Sequence, residues 1–96
     1  MKNINLALDN CVSKKATNEL SQLGLKVVFR ATNERDEVWV DRAIYKGANV
    51  FISTDLDIPN ILEKYYEHTL WIGLPQRLKS NKQSKYIYKK IKERLK

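Results

Sequence analysis

The sequence predicts an α/β fold, a four-stranded parallel sheet in the order 2-1-3-4 with helices on both faces. Three observations predict it. Short apolar runs rich in strand-forming residues alternate with amphipathic stretches along the chain. Turn residues punctuate the changes between them, as at Gly24, Gly47 and Leu74-Pro75. The resulting β-α-β-α-β-α-β-α order contains no internal repeat and no low-complexity linker. Strands separated by helices pair in parallel, with both faces of the sheet covered, through right-handed crossovers. Covering both faces requires the chain to wind one way and then the other, and 2-1-3-4 is the most economical order that does so. The reversal then falls between strands 1 and 3. Ligands of open α/β sheets bind there, beyond the carboxyl ends of the strands.

Residues 4–8 (INLAL) read as the first strand, ending at the turn or cap pair Asp9-Asn10. Residues 13–23 carry Ala16, Leu20 and Leu23 at helical spacing, and Gly24 stands where a C-terminal cap belongs. Residues 25–29 (LKVVF) are a second, β-branched strand. After a polar loop, residues 36–46 place Trp39, Val40, Ala43 and Ile44 on one helical face. Asp36 and Glu37 occupy its first turn, where the helix dipole favours acids. Residues 49–53 (NVFIS) are the third strand. Asp57 reads as a helix cap and Pro59 as a first-turn residue, with the helix continuing through Ile61, Leu62 and Tyr65. Asp55 lies too far ahead of that helix to cap it. Residues 69–73 (TLWIG) are the fourth strand. From about Asn81 a last helix sets Ile87, Tyr88, Ile91 and Leu95 opposite a lysine face.

The 96 residues predict one domain, with a feasible core of modest size. Residues 1–76 read as the α/β core, and 77–96 as a basic helix packed on it or extending it. With 43% hydrophobic and 30% charged residues, the composition is that of an ordinary globular chain. No apolar run approaches the roughly 18 residues that span a bilayer, so no membrane partner is expected. The N-terminal apolar run is too short and too early for a secretory signal. Cys11 is the only cysteine, so an internal disulfide and a cysteine zinc site are excluded. A reducing cytoplasm is the expected compartment. The net charge of +7 is uneven: residues 74–96 carry nine Lys or Arg against one acid, and the remainder sums to −1. Such a block meets a polyanion through phosphate attraction and counterion release, or simply solvates a helix face.

In the 2-1-3-4 order, Asp9 follows strand 1 and Asp55 and Asp57 follow strand 3, on neighbouring strand ends. Asp36 opens the helix after strand 2, at the same edge. Four carboxylates distant in sequence thus meet one crevice, where their mutual repulsion and desolvation call for a cation. Oxygen ligands suit Mg²⁺ or Mn²⁺, and such an ion supports attack on a phosphate. Each aspartate taken singly also reads as a cap or turn residue; the constellation is the more specific signal.

At these residues the chain resembles the PIN-like domains, most closely the short bacterial PIN-like proteins of uncharacterised function. Their "LDEN" motif is matched by "LALDN", their "LGH" and "DVV" by "QLGLKVV", their acid-led helix by "RDEVWVDRA", and their "TRDKDF" by "ISTDLDI", with "TLWIGLPQ" as the last strand. The resemblance covers about residues 4–76. It implies a three-layer PIN-like sandwich and a metal-dependent ribonuclease, with the toxins of toxin–antitoxin modules among its relatives. By position, Asp9, Asp36, Asp55 and Asp57 take the places of the catalytic, metal-binding acids, with Asn10, Ser53 and Thr54 in support. Two departures stand out: Asn10 replaces the family's acid, and Ile58 replaces its aromatic residue. The implied partners are RNA, a cognate antitoxin protein and a second copy in a homodimer.

Lys82, Lys85, Lys89, Lys90 and Arg94 are the residues expected to guide an RNA backbone. Tyr65, Tyr66, Tyr86 and Tyr88, lying near or among lysines, can stack on unpaired bases or pack inward. Trp39 and Trp71 read as core, Cys11 as a small buried hydrophobe, and His68 as a helix-terminal surface residue. The alternative is a non-catalytic PIN scaffold that binds nucleic acid or a protein. A receiver-like reading fails on its own pattern, which asks for five strands and two adjacent acids after the first.

Overall fold

The structure, a computed structural model, describes residues 4–64 and 69–94. Within them the chain runs β1 (Asn5–Leu8), α1 (Lys14–Gln22), β2 (Lys26–Arg30), α2 (Asp36–Tyr45), β3 (Val50–Ser53), α3 (Ile58–Leu62), β4 (Leu70–Gly73) and α4 (Ser80–Arg94). All strand pairs are parallel, and the order is β2-β1-β3-β4. The expected sheet is therefore the observed one. Tyr65, Tyr66, His68 and Leu95 lie outside the described residues.

The period of two along each strand sorts side chains between two cores. Leu6 and Leu8 of β1, Val50 and Ile52 of β3, and Ile72 of β4 pack with Val12, Ala16 and Leu20 and with Ile87 and Ile91 of α4. Ala7 and Phe51 face the other way, onto Trp39, Val40 and Ala43 of α2 and Ile58 and Leu62 of α3. The result is three layers: α1 and α4, the sheet, then α2 and α3. Every residue of β3 is buried, as befits a strand covered on both sides.

β1 and β2 pair with a register shift: Leu6 faces Val27, but Ala7 faces Phe29. Val28 is the extra residue, a bulge of a kind uncommon between parallel strands. Val28 and Phe29 consequently both pack on the α2 side. Phe29 stacks on Trp39, with ring centroids 6.4 Å apart and planes 5° apart.

Local chemistry fixes the helix ends. The Ser13 hydroxyl caps α1 by accepting the Ala16 N–H at 3.0 Å. Gly24 (φ 88°) and Gly47 (φ 91°) turn the chain after α1 and α2 in the left-handed region. Leu23 departs from expectation. The helix stops at Gln22, so Leu23 is its C-terminal cap and is 47% exposed.

The last helix is bound into the same body. Beyond Ile87 and Ile91, the buried amide of Gln83 accepts the Ser13 N–H (2.9 Å) and donates to the carbonyls of Cys11 and Leu78 (each 3.4 Å). The Ser84 hydroxyl donates to Glu19 of α1 at 2.8 Å. One face of α4 thus reaches both α1 and the loop that follows β1. No helix among the described residues is long and apolar enough to cross a membrane.

Candidate functional site

The strand alternation that buries Ala7 and Phe51 on the α2 side also sets Asp9 and Ser53, two residues further along, on that side. Asp9 still belongs to the ladder, its N–H donating to the Ile52 carbonyl at 3.0 Å. The fully buried Ser53 hydroxyl joins the two strand ends. It donates to Asp9 Oδ2 at 2.7 Å and accepts the Asp55 N–H at 2.9 Å. The other Asp9 oxygen, Oδ1, accepts the N–H of exposed Asn10 at 2.7 Å. Asn10 therefore supports the site through its backbone.

The first residue of α2 brings in the third acid. Asp36 Oδ1 accepts the indole N–H of Trp39 at 3.2 Å, and its carboxyl hydrogen-bonds the carboxylate of Asp55. Two carboxylates in contact cannot both ionise cheaply. Asp36 is pushed up to about 6, first by burial and then by the bond to Asp55 and the charges of Asp55 and Asp9, with the Trp39 N–H opposing. Asp55 is held below its ordinary value, first by the hydrogen bond from Asp36 and then by the N–H of Asp57. Below about pH 6 Asp36 carries the proton and Asp55 accepts its hydrogen bond.

The structure thus brings Asp9, Asp36 and Asp55 together through Ser53 and a shared proton. Asp57 stands apart: it is exposed and is not among the charges acting on Asp36. The capping roles of the Asp pair are also the reverse of those expected. Asp57 opens α3 in a helical conformation with no side-chain capping bond. Asp55 accepts the Asp57 N–H on Oδ1 at 2.8 Å and so closes the turn ahead of the helix. An Asx-turn reaches two residues forward, so an aspartate three residues before a helix does have a local role. Among the described residues, no three His, Cys, Asp or Glu side chains stand as a ready metal-ligand group. The donor set is nevertheless that of a hard cation, with carboxylate oxygens from three separate parts of the chain, two of which share a proton below about pH 6.

Sequence reasoning missed two residues. Arg30, at the end of β2, donates from its guanidinium to the Val12 carbonyl at 2.9 Å and so steadies the loop after Asp9. Its signal was only a cation ending a strand. Trp71 packs against the α2–α3 core as expected, but it is only half-buried and also lines a groove of about 430 Å³ at the edge strand β4. Gly73, two residues on, leaves room for it: a Cβ there would lie 2.6 Å from the indole. Of the five cations assigned to RNA, Lys90 and Arg94 line this groove, while Lys82, Lys85 and Lys89 are exposed on α4 outside it. Thr54 also lines the groove. Cys11 is a free, half-buried thiol.

Neither a family model, nor a curated protein, nor a solved structure matches this chain.

Two predictions follow from the hydrogen bonds of the site. Ser53→Ala leaves both a carboxylate oxygen and a half-buried N–H without their partner. At roughly 1–3 kcal/mol for an unsatisfied group, a loss of about 2 kcal/mol is expected in urea denaturation. A loss below about 0.5 kcal/mol would mean that the hydroxyl bridge contributes nothing. The second concerns pH. Asp36 holds its proton to about pH 6 in the fold and only to its ordinary value, 3.8, when unfolded. The native state binds more protons between those values, so this group's contribution to stability falls as pH rises from about 4 to 6. Asp55 acts oppositely and in a lower window, stabilising above its ordinary range and losing that contribution as pH falls below it. Asp36→Asn keeps a donor toward Asp55 and removes the late-ionising acid. It is expected to be more stable than the wild type at pH 7.5 by about 1 kcal/mol, after allowance for solvent screening. At pH 4.5 that advantage should vanish. An equal difference at both values would refute the shared proton.

Proposed function

We propose that this protein is a metal-dependent ribonuclease of PIN-like type, using Mg²⁺ or Mn²⁺. The observation that carries the reading is the forced meeting of Asp9, Asp36 and Asp55 at the carboxyl ends of β1 and β3. A fold gains nothing in stability by pressing three carboxyls together until one must keep its proton near pH 6. Crowding of this kind suits a site built for positive charge. When bound, a divalent cation supplies charge neutralisation on the phosphate and a more acidic water. The chain's own residues do the rest. Ser53 fixes the distance between Asp9 and Asp55. Asp55 offers an ionised carboxylate, and Asp9 and Asp36 would complete the set of residues that hold the cation. The lysines of α4 hold the RNA backbone against an otherwise acidic edge.

The test is incubation of purified protein with single-stranded RNA and Mn²⁺, with EDTA and Asp55→Asn as controls. Wild-type cleavage that both controls suppress supports the reading; an identical background in all three sinks it. A second reading, a PIN-like scaffold that binds RNA without cutting it, draws on Asn10, which stands where the family has an acid. It predicts RNA binding with no Mn²⁺-dependent stabilisation in a thermal melt.

A further inference from the structure

The groove at the β4 edge has a composition that the carboxylate cluster does not explain. It runs around the free edge of β4: Ile72, Leu74, Tyr86, Lys90 and Arg94 line it, the last three one turn apart on α4, and Trp71, whose ring packs on the α2–α3 side of the sheet, lines it with Gly73. Thr54 and Leu56 form the lip, and these two residues flank Asp55 in the chain. The groove therefore opens beside the acids.

Its chemistry selects an anion with a flat apolar part. Among the described residues no acid lines the groove, and two cations do. Lys90 Nζ lies 5.6 Å from the centroid of the Tyr86 ring and 3.7 Å from Glu93 Oε1, so its charge is held beside the ring by groups of its own helix. Leu56 is 76% exposed, an apolar side chain kept in water at the lip. The indole of Trp71 rests on Gly73, and its buried N–H has no acceptor among the described residues, so packing alone positions the ring. A volume of about 430 Å³ lies at the small end of the range for small-molecule sites, enough for a base and its phosphate but not for a helix.

We infer that this groove is a nucleotide subsite: one unpaired nucleotide of a single-stranded RNA sits there, its base against Trp71 at the free edge of β4 and its phosphate on Lys90 and Arg94. The inference rests on the ribonuclease reading for the identity of the polymer. It gives a reason for the substrate to be unpaired: a base held in a duplex cannot reach the Trp71 ring. The nucleotide in the groove is a neighbour of the phosphate at the acids, since Thr54 and Leu56 border one site and Asp55 belongs to the other.

Binding of a fluorescein-labelled RNA hexamer, followed by anisotropy in EDTA so that no cleavage intervenes, tests the subsite. Trp71→Ala is expected to weaken binding about tenfold, as loss of one stacking platform does. Arg94→Gln should weaken it less and lower the slope of log affinity against log salt by about 0.7, the share of one single-strand phosphate contact. Adenosine monophosphate should compete and should quench tryptophan fluorescence; Trp39, fully buried, supplies a constant background. Hexamer binding unchanged in both variants, or a duplex of the same sequence binding as tightly, overturns the subsite. So does competition by an acidic peptide but not by the mononucleotide. Should Trp71→Ala unfold, Trp71→Phe and Arg94→Gln still decide the matter. The two readings fail separately. RNA bound at the groove but never cut with Mn²⁺ removes the ribonuclease alone, and cutting with unchanged binding in both variants removes the subsite alone.

Discussion

Asp55→Asn is expected to lower Mn²⁺-dependent RNA cleavage by at least roughly 100-fold, the upper end of what losing even a ligand's supporting partner costs. The replacement is nearly isosteric. Its side-chain oxygen can still accept the Asp57 N–H, now 2.8 Å from Asp55 Oδ1, so the turn before α3 survives. Its charge is gone; burial still pushes Asp36 up, but the further push from the Asp55 hydrogen bond and charge is lost. The variant should therefore show a second signature that a purely structural defect would not produce. Asp36, followed by NMR titration, should move down towards the ordinary carboxylate range. Cleavage persisting at the wild-type level, in a variant with that titration shift, would remove Asp55 from the catalytic site while leaving the shared proton intact.

Trp39→Ala should cost about 4 kcal/mol, within the roughly 3–5 kcal/mol range for emptying a buried aromatic site. Trp39 is fully buried between Phe29 and Phe51, with ring centroids 6.4 Å and 6.1 Å away. A domain of this size has roughly 5–15 kcal/mol in total, so the variant should be close to unfolding at 37 °C. Urea denaturation followed by circular dichroism measures the loss. Trp39→Phe separates two contributions: it refills most of the volume but withdraws the N–H from Asp36 Oδ1. It should recover much of the stability while raising the Asp36 pKa further. A loss below about 1 kcal/mol for the alanine variant would show that the aromatic cluster repacks around the gap.

The fold was legible because its signals are local and repeated. β-Branched runs, helical stripes and glycine stops each mark an element, and alternation then dictates a covered parallel sheet. The meeting of Asp9, Asp36 and Asp55 followed from that topology, since each acid ends a strand or opens a helix at one edge. What the sequence hid was decided by side-chain geometry. The roles of Asp55 and Asp57 in the turn were reversed because the Asx-turn bond depends on backbone angles that a string of letters does not carry. Trp71 does pack on the core, but its partial exposure was hidden because an apolar strand at a sheet edge has the same pattern as one at the centre. Gln83 gave no signal, since a buried amide stands out only when its three partners are in place.

One consequence of the bulge at Val28 remains. Counting parity along β2, an uninterrupted strand would pair Leu8 with Phe29 and carry Arg30 on to face Asp9. The extra residue inverts the faces beyond it, so Phe29 meets Trp39 and Arg30 turns to the Val12 carbonyl. A guanidinium facing Asp9 would be a built-in counterion, offsetting one of the site's carboxylates from within the chain. One inserted valine keeps the acids in want of a positive charge that the chain could otherwise have supplied itself.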